Sequence, residues 1–250
     1  MQNKEKSLAE ASQLVSRFVA THYPNASAAL LAGSASRGEA TPNSDYDVVL
    51  LFETLPEGAW REMLSFEDHD IEIFAHDLAT LSYFFREIET TSGQPVLVKM
   101  VAEGVPIKSA SPALVATAKQ MALATLQSGP PALDRTTFEL RRYAITDLAQ
   151  ALSVPRGEAT TLAIGTTLYT ALTDFFLRAA GHWSAAGKAT PNALAAADPT
   201  IADQFAIAFS ALFKTGNTTS VLTLVDAILE PYSGRMRAGF KQQAPPSWRD

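Results

Sequence analysis

Two short apolar segments separated by a glycine-containing turn constrain the fold of this chain more than any other feature. Residues 27–33, SAALLAG, are apolar up to a closing glycine, whereas residues 45–53, DYDVVLLFE, open with two aspartates and then become apolar. Apolar runs of this length, bounded by turn residues, predict buried strands. Because side chains alternate across a strand, we expect Asp45 and Asp47 on one face of the second strand.

A third strand is predicted at residues 69–76, HDIEIFAH, where acidic and apolar residues alternate. If it neighbours the second strand, Glu72 joins the two aspartates. Carboxylates gathered at one point repel each other, and a cation between them removes that cost. Oxygen ligands in a chain without cysteine favour Mg²⁺ or Mn²⁺ over zinc. Asp70 lies on the same strand face and is the alternative third ligand.

The turn after the first strand has the residue types of an anion site. Gly33 allows the backbone to approach a ligand closely, and the hydroxyl of Ser34 and neighbouring N–H groups suit a phosphate. The pattern is not a P-loop, because no lysine follows Gly38. A phosphate site beside a divalent-cation site predicts a metal–polyphosphate centre.

The periodicity changes near residue 112. Before it, helices are predicted at 7–21 and 78–90, and residues 96–110 fit either a helix or a pair of strands. After it, helices are predicted at 112–127, 134–152, 157–180, 199–214 and 218–230. Residues 181–192 are expected to form a loop. The prediction is an α+β chain with a small mixed β-sheet and flanking helices at 1–111, followed by an all-helical bundle at 112–250.

The order Gly33-Ser34, then Gly38, then Asp45-x-Asp47 before an apolar run resembles the nucleotidyltransferase superfamily with a polymerase beta-like catalytic core. The back half, with GHWSAAGK, ADPTIADQF and LEPYSGRMRAGF, resembles the helical C-terminal domain of bacterial antibiotic-modifying and uncharacterised nucleotidyltransferases. The resemblance implies an active site in a cleft between two domains.

The resemblance also implies a mechanism. Asp45 and Asp47 would hold two Mg²⁺ ions about 3.5–4 Å apart, and an acceptor hydroxyl would attack the α-phosphorus of a nucleoside triphosphate, releasing pyrophosphate. Glu72 matches the third acid of the family, either as a metal ligand or as the general base. ATP is the expected donor.

Two cations are candidates for contact with the triphosphate. Arg37 lies inside the turn, and Lys188 follows a tryptophan-containing loop in the helical half, where some family members use a lysine. The alternative for each is an ordinary solvated side chain. Arg141 and Arg142 either face the cleft or have a structural role, and the structural role is preferred.

Charge and composition limit the partners. Residues 1–111 contain 8 Lys and Arg and 16 Asp and Glu, so this half is acidic. Residues 112–250 contain 12 Lys and Arg and 10 Asp and Glu, so this half is slightly basic. No dense basic stripe predicts binding of long nucleic acid. The first residues lack the apolar core of a secretory signal, and no apolar run is long enough to span a bilayer, so we expect a cytoplasmic protein.

The acceptor is expected to be a small hydroxylated molecule. An aminoglycoside-type antibiotic, being a polycation, would need an acidic acceptor site, and the slightly basic helical half leaves that substrate unassigned. Two rival hypotheses are compatible with the sequence. One is a catalytically weak, antitoxin-like or regulatory nucleotide-binding module of the same fold. The other is a structural α/β protein whose acids are only surface groups.

Overall fold

The computed structural model describes residues 7–41 and 43–244, and the chain divides after Gly129 into two compact units. Among the described residues of the first unit, five strands form one mixed sheet in the order β3-β4-β2-β1-β5. The strands are β1 Ala28–Leu31, β2 Tyr46–Leu51, β3 Trp60–Phe66, β4 His69–His76 and β5 Val105–Ser109. Strands β2 and β4 run parallel, whereas the other neighbouring pairs are antiparallel.

Helical segments flank this sheet. They are α1 Leu8–His22, α2 Gly33–Ser36, α3 Leu78–Tyr83, a π-helix at Phe84–Glu89, α4 Thr90–Ser92, α5 Val96–Glu103 and α6 Pro112–Ser128. Helix α1 begins at a capping box, in which the hydroxyl of Ser7 accepts the Glu10 N–H and the Glu10 carboxylate accepts the Ser7 N–H. Glu89 is buried and its carboxylate accepts the N–H groups of Leu97 and Val98, which satisfies the first turn of α5.

Each face of the sheet has its own core. On one face, α1 contributes Val15 and Phe18 to a cluster with Leu31, Val48 and Ile73. The other face packs against α3, the π-helix, α5 and α6; its core includes Leu30, Val49, Leu81, Phe85, Val98 and Leu114. Strand β2 is therefore covered on both sides, which accounts for its nearly continuous apolar sequence.

Helix α6 belongs to the first unit, so the structure divides later than the boundary expected at residues 111 and 112. Leu114, Val115, Ala118 and Ala122 of α6 are buried in the core over the second face of the sheet. The change of periodicity marks where helices follow one another along the chain. It does not show that the first of those helices covers the sheet.

The second unit is helical in its described part. Its elements are α7 Arg135–Leu152, α8 Glu158–Ala179, a 3-10 helix at Gly187–Ala189, α9 Thr190–Ala197, α10 Pro199–Thr215, α11 Thr219–Leu229 and a 3-10 helix at Glu230–Tyr232. Aspartates cap α7 and α10, since Asp134 accepts the Thr137 N–H and Asp198 accepts the N–H groups of Thr200 and Ile201. One apolar core joins the helices; it includes Ile145, Leu168, Leu172, Phe175, Phe205, Phe209 and Val225.

The predicted fold class is confirmed: a mixed sheet with flanking helices precedes a helical region. Residues 96–110, for which the sequence fits either a helix or a pair of strands, contain α5 and then β5. The loop predicted at 181–192 is wrong at its end, because α9 begins at Thr190 and Pro191 occupies its first turn, where a helix accepts proline. None of the helices in residues 7–41 and 43–244 has both the length and the apolar character that a membrane span requires.

Candidate active site

Three carboxylates converge on one face of the sheet in the first unit, at the start of β2 and on its neighbour β4. Asp45 immediately precedes β2, Asp47 is the second residue of that strand, and Glu72 lies on β4. One carboxylate oxygen from each residue lies within 4.8 Å of those of the other two, and all three residues are half-buried. We call this group the acidic cluster.

Strand pairing brings the cluster together. In the parallel register of β2 and β4, Asp47 is the partner of Glu72. Asp45 lies two residues before Asp47 and so shares its face, while Tyr46 and Val48 point into the core under α1. The alternation of acidic and apolar residues in DYDV is thus what directs both aspartates to the same side.

The cluster has the donor set of a hard divalent cation. Two unit charges 4.8 Å apart repel by about 0.9 kcal/mol in water, and by more where water is partly excluded. Carboxylate oxygens are the ligands that Mg²⁺ and Mn²⁺ prefer, and half-buried groups remain accessible to an ion from solvent. The residues present therefore fit such an ion.

Glu72, and not Asp70, is the third member of the acidic cluster among the described residues. Asp70 is exposed and accepts a hydrogen bond from the hydroxyl of Ser65 on β3. The Glu72 carboxylate instead forms an ion pair with Arg61, also on β3. The preference for Glu72 over Asp70 agrees with this geometry.

Gly33 packs directly on the acidic cluster. Its φ is +63°, and a Cβ atom there would lie 1.8 Å from Oδ2 of Asp47. The Ala32 N–H also donates to the Asp47 backbone carbonyl at 2.8 Å. Only glycine satisfies both the backbone conformation and the contact, so the turn between β1 and β2 is built against the Asp47 carboxylate.

Ser34 follows Gly33 in the short helix α2 and is half-buried. The turn around it is tightly bonded: the Ser36 hydroxyl donates to the Gly33 carbonyl, and the Glu39 N–H donates to the Ser34 carbonyl, both at 2.9 Å. This places Ser34 next to the residue that touches Asp47. Its contact with phosphate remains a prediction.

The two candidate phosphate-binding cations have different surroundings. Arg37 is exposed and pairs with Glu39 at 2.9 Å and with Glu103 at 3.4 Å. Lys188 lies in the second unit, on an exposed 3-10 turn. Neither position tests a role in binding the triphosphate, and both roles remain predictions.

Arg141 and Arg142 have partners within the second unit. Arg141 forms an ion pair with Asp174, and Arg142 donates to the backbone carbonyls of Ser233 and Gly234. These contacts join α7 to α8 and to the segment after α11. They agree with the structural role preferred for both arginines.

Sequence reasoning missed Arg61, because β3 was not predicted at all. The apolar residues of WREMLSF do not alternate strictly, because Trp60 and Met63 are exposed and Glu62 is half-buried, and the strand lies at the edge of the sheet. The available signal was the two-residue turn at Glu67 and Asp68, both with positive φ, which joins β3 to β4.

Two comparisons with known proteins found a match, and one found none. A family model described as a nucleotidyltransferase domain matches residues 13–99, a range that contains Gly33, Ser34 and all three residues of the acidic cluster. A solved structure of a nucleotidyltransferase-like protein from Exiguobacterium sibiricum has 11% sequence identity, with 88% of this chain and 74% of that chain covered and a TM-score of 0.44. No curated protein matches the chain.

Proposed function

We propose that the protein transfers a nucleoside monophosphate from a triphosphate to a hydroxyl acceptor, using a divalent cation, and the match of residues 13–99 to a nucleotidyltransferase-domain model supports this proposal. The acidic cluster would hold the cation, with Asp45, Asp47 and Glu72 as its protein ligands. Mg²⁺ is the expected ion, Mn²⁺ its substitute, and ATP the expected donor.

The observation that carries this proposal is the contact between Gly33 and Asp47. A solvated aspartate needs no glycine beside it, whereas here the turn has no side chain where a methyl group would collide with the carboxylate. The acidic cluster and the Gly33-Ser34 turn are thus one structure. A proposed cation site next to the turn that carries the proposed phosphate site suits a metal-bound polyphosphate.

The reaction is a displacement at the α-phosphorus. The acceptor oxygen forms a bond to that phosphorus while the bond to the pyrophosphate oxygen breaks, and the acceptor hydroxyl gives its proton to solvent water or to Glu72 in its alternative role as general base. A bound divalent cation would neutralise phosphate charge and acidify the acceptor hydroxyl. Asp45 and Asp47 orient the site from β2, and the absence of a side chain at Gly33 leaves room for the Asp47 carboxylate.

The other residues support binding. The hydroxyl of Ser34 is the expected donor to a phosphate oxygen, and Arg37 would have to exchange Glu39 or Glu103 for phosphate in order to contribute. Lys188 is the proposed contribution of the second unit to triphosphate binding. The proposed acceptor is a small hydroxylated molecule.

A screen of acceptors tests the function. The protein is incubated with Mg²⁺, labelled nucleoside triphosphates and a panel of hydroxylated small molecules, and the readouts are pyrophosphate release and a mass increase on the acceptor. Asp47→Asn is expected to reduce transfer at least a hundredfold while the fold is retained. Asp70→Asn is the matched control, because Asp70 is exposed on β4 outside the acidic cluster.

The result also separates the rival hypotheses. Magnesium-dependent triphosphate binding that Asp47→Asn abolishes, without pyrophosphate release across a broad panel, would indicate a regulatory nucleotide-binding module. Equal activity of Asp47→Asn and the intact protein would exclude the metal role of the acidic cluster.

A further inference from the structure

Arg61 contacts the acidic cluster from the edge strand. Its Nε donates to Oε1 of Glu72, and Nη2 forms an ion pair with the same oxygen at 2.5 Å. The Arg61 side chain is 66% exposed, whereas the Glu72 side chain is 12% exposed. Glu72 is thus the less exposed partner of this ion pair.

A second contact fixes the guanidinium in place. Arg61 lies opposite Phe74 in the antiparallel register of β3 and β4, and its guanidinium carbon is 5.1 Å from the centre of the Phe74 ring. A cation above an aromatic face is attracted to it. Arg61 is therefore held by two neighbours on β4, the ring of Phe74 and the carboxylate of Glu72.

Glu72 needs such a partner more than either aspartate does. Its longer side chain has more rotamers to lose when it is ordered, and repulsion from Asp45 and Asp47 drives it away from the acidic cluster. Asp45 and Asp47, by contrast, are placed directly by the backbone at the start of β2. The donors of Arg61 occupy only Oε1 of Glu72, and a metal ligand needs one oxygen per carboxylate.

We propose that Arg61 is a positioning residue for the metal site: it holds Glu72 in the acidic cluster and leaves its second oxygen for the cation. This inference rests on the proposed function, since it assumes that the acidic cluster binds a divalent cation. It assigns Arg61 no contact with the reacting atoms. The opposing possibility is that Arg61 is a counter-ion that the cation must displace.

The two possibilities predict opposite changes in metal affinity. Mn²⁺ is titrated into the full chain without nucleotide, and bound ion is followed by calorimetry and by its electron paramagnetic resonance spectrum. Partners that orient metal ligands change affinity by about 10–100-fold when they are removed, so Arg61→Ala is expected to weaken Mn²⁺ binding at least tenfold. Arg61→Lys retains the positive charge on one donor nitrogen but not the planar guanidinium, so it is expected to bind Mn²⁺ more tightly than Arg61→Ala and less tightly than the intact protein.

Arg17→Ala is the matched control. Arg17 and Glu67 form another exposed arginine–glutamate pair in the first unit, outside the acidic cluster, so this variant should bind Mn²⁺ like the intact protein. Thermal melts check that each variant is folded. If Arg61→Ala does not fold, Arg61→Gln, which keeps most of the stem, replaces it in the same titration.

Three results overturn part of the argument, each in a different way. Unchanged or tighter Mn²⁺ binding by the Arg61 variants contradicts the positioning role and leaves the proposed function standing. Absence of Mn²⁺ binding by the intact protein, with and without a triphosphate, contradicts the proposed function itself. Equal weakening by Arg17→Ala shows that a general effect of removing an arginine–glutamate pair, not the position of Glu72, is responsible.

Discussion

At the scale of single residues, the contact between Gly33 and Asp47 leaves no room for a side chain at position 33. A side chain at Gly33 meets two separate obstacles, a positive φ and the carboxylate of Asp47. The first obstacle costs stability wherever it occurs. The second concerns the acidic cluster alone, because the displaced group is a proposed metal ligand.

Gly33→Ala is therefore expected to lower both the free energy of unfolding and the affinity for Mn²⁺. Unfolding measured in urea should show a loss of about 1–2 kcal/mol from the positive φ, and Mn²⁺ titration should show at least a tenfold loss of affinity as Asp47 is displaced. Gly216→Ala is the matched control, because Gly216 has a φ of +70° and no atom within 4 Å of its Cβ position. It should lose stability and keep Mn²⁺ affinity; equal affinities in both variants would contradict the role of the contact.

A buried histidine makes stability depend on pH. Burial lowers the pKa of His76 from 6.5 to about 4, against the opposing charge of Asp77. Between these values the unfolded chain binds a proton that the folded chain does not, so protonation favours unfolding. This contribution to stability is complete above pH 6.5 and is lost as the pH falls towards 4.

We expect the free energy of unfolding to fall by up to about 3 kcal/mol over that range through His76 alone. Urea unfolding of the intact protein and of His76→Gln between pH 7 and 4 measures this difference, since the carboxylates titrate in both. His182→Gln, at an exposed position of the second unit, should retain the slope of the intact protein. A His76→Gln slope as steep as that of the intact protein would show that burial of this ring is not responsible.

The sequence predicts part of the site at this scale. The types and spacing of Asp45, Asp47 and Glu72 are local properties, and alternation along a strand indicates the direction of each side chain. The contact between Gly33 and Asp47 joins residues of different elements and depends on how closely the turn approaches β2. No pattern in the sequence reports that distance.

At the scale of elements, the predicted strands are those that are buried. β1 and β2 have apolar runs and β4 alternates clearly, so each has a signal in its own sequence. β3 lies at the edge of the sheet and its burial alternates between exposed and half-buried positions, so the hydrophobic contrast is weak. Its place is set by pairing with β4, which is a property of the hairpin.

The turn of that hairpin carries strain that a substitution can relieve. Asp68 has a φ of +61° at the second turn position between β3 and β4, where glycine is preferred. Asp68→Gly is expected to raise the free energy of unfolding by about 0.5 kcal/mol, because the gain in φ outweighs the greater freedom of the unfolded chain. Asp70→Gly, at a paired position in β4, should lower it; a thermal melt of each variant decides the sign.

At the scale of the whole molecule, the division after Gly129 follows from the core. Helix α6 contributes Leu114, Val115, Ala118 and Ala122 to the second face of the sheet. Burying a leucine or valine side chain contributes about 1.5–3 kcal/mol. The loss of α6 would thus remove several kcal/mol from a domain whose total stability is on the order of 5–15 kcal/mol.

A chain that ends at residue 129 is therefore expected to unfold cooperatively on heating, and one that ends at residue 111 is expected to lose cooperativity and bind a hydrophobic dye. Circular dichroism and dye fluorescence distinguish the two. Cooperative unfolding of the shorter chain at the same temperature as the longer one would contradict the assignment of α6 to the first unit.

The pairing register of β2 and β4, and not the length of the chain between them, fixes the separation of Asp47 and Glu72. Because β2 and β4 are hydrogen-bonded neighbours, the segment from Phe52 to Ala59 that leaves β2 can grow or shrink without altering which residues face each other. Gly58, with open space around its Cβ position, marks a place for such an insertion. Diversification of this loop, or a fluorescent tag grafted there, is compatible with an unaltered acidic cluster.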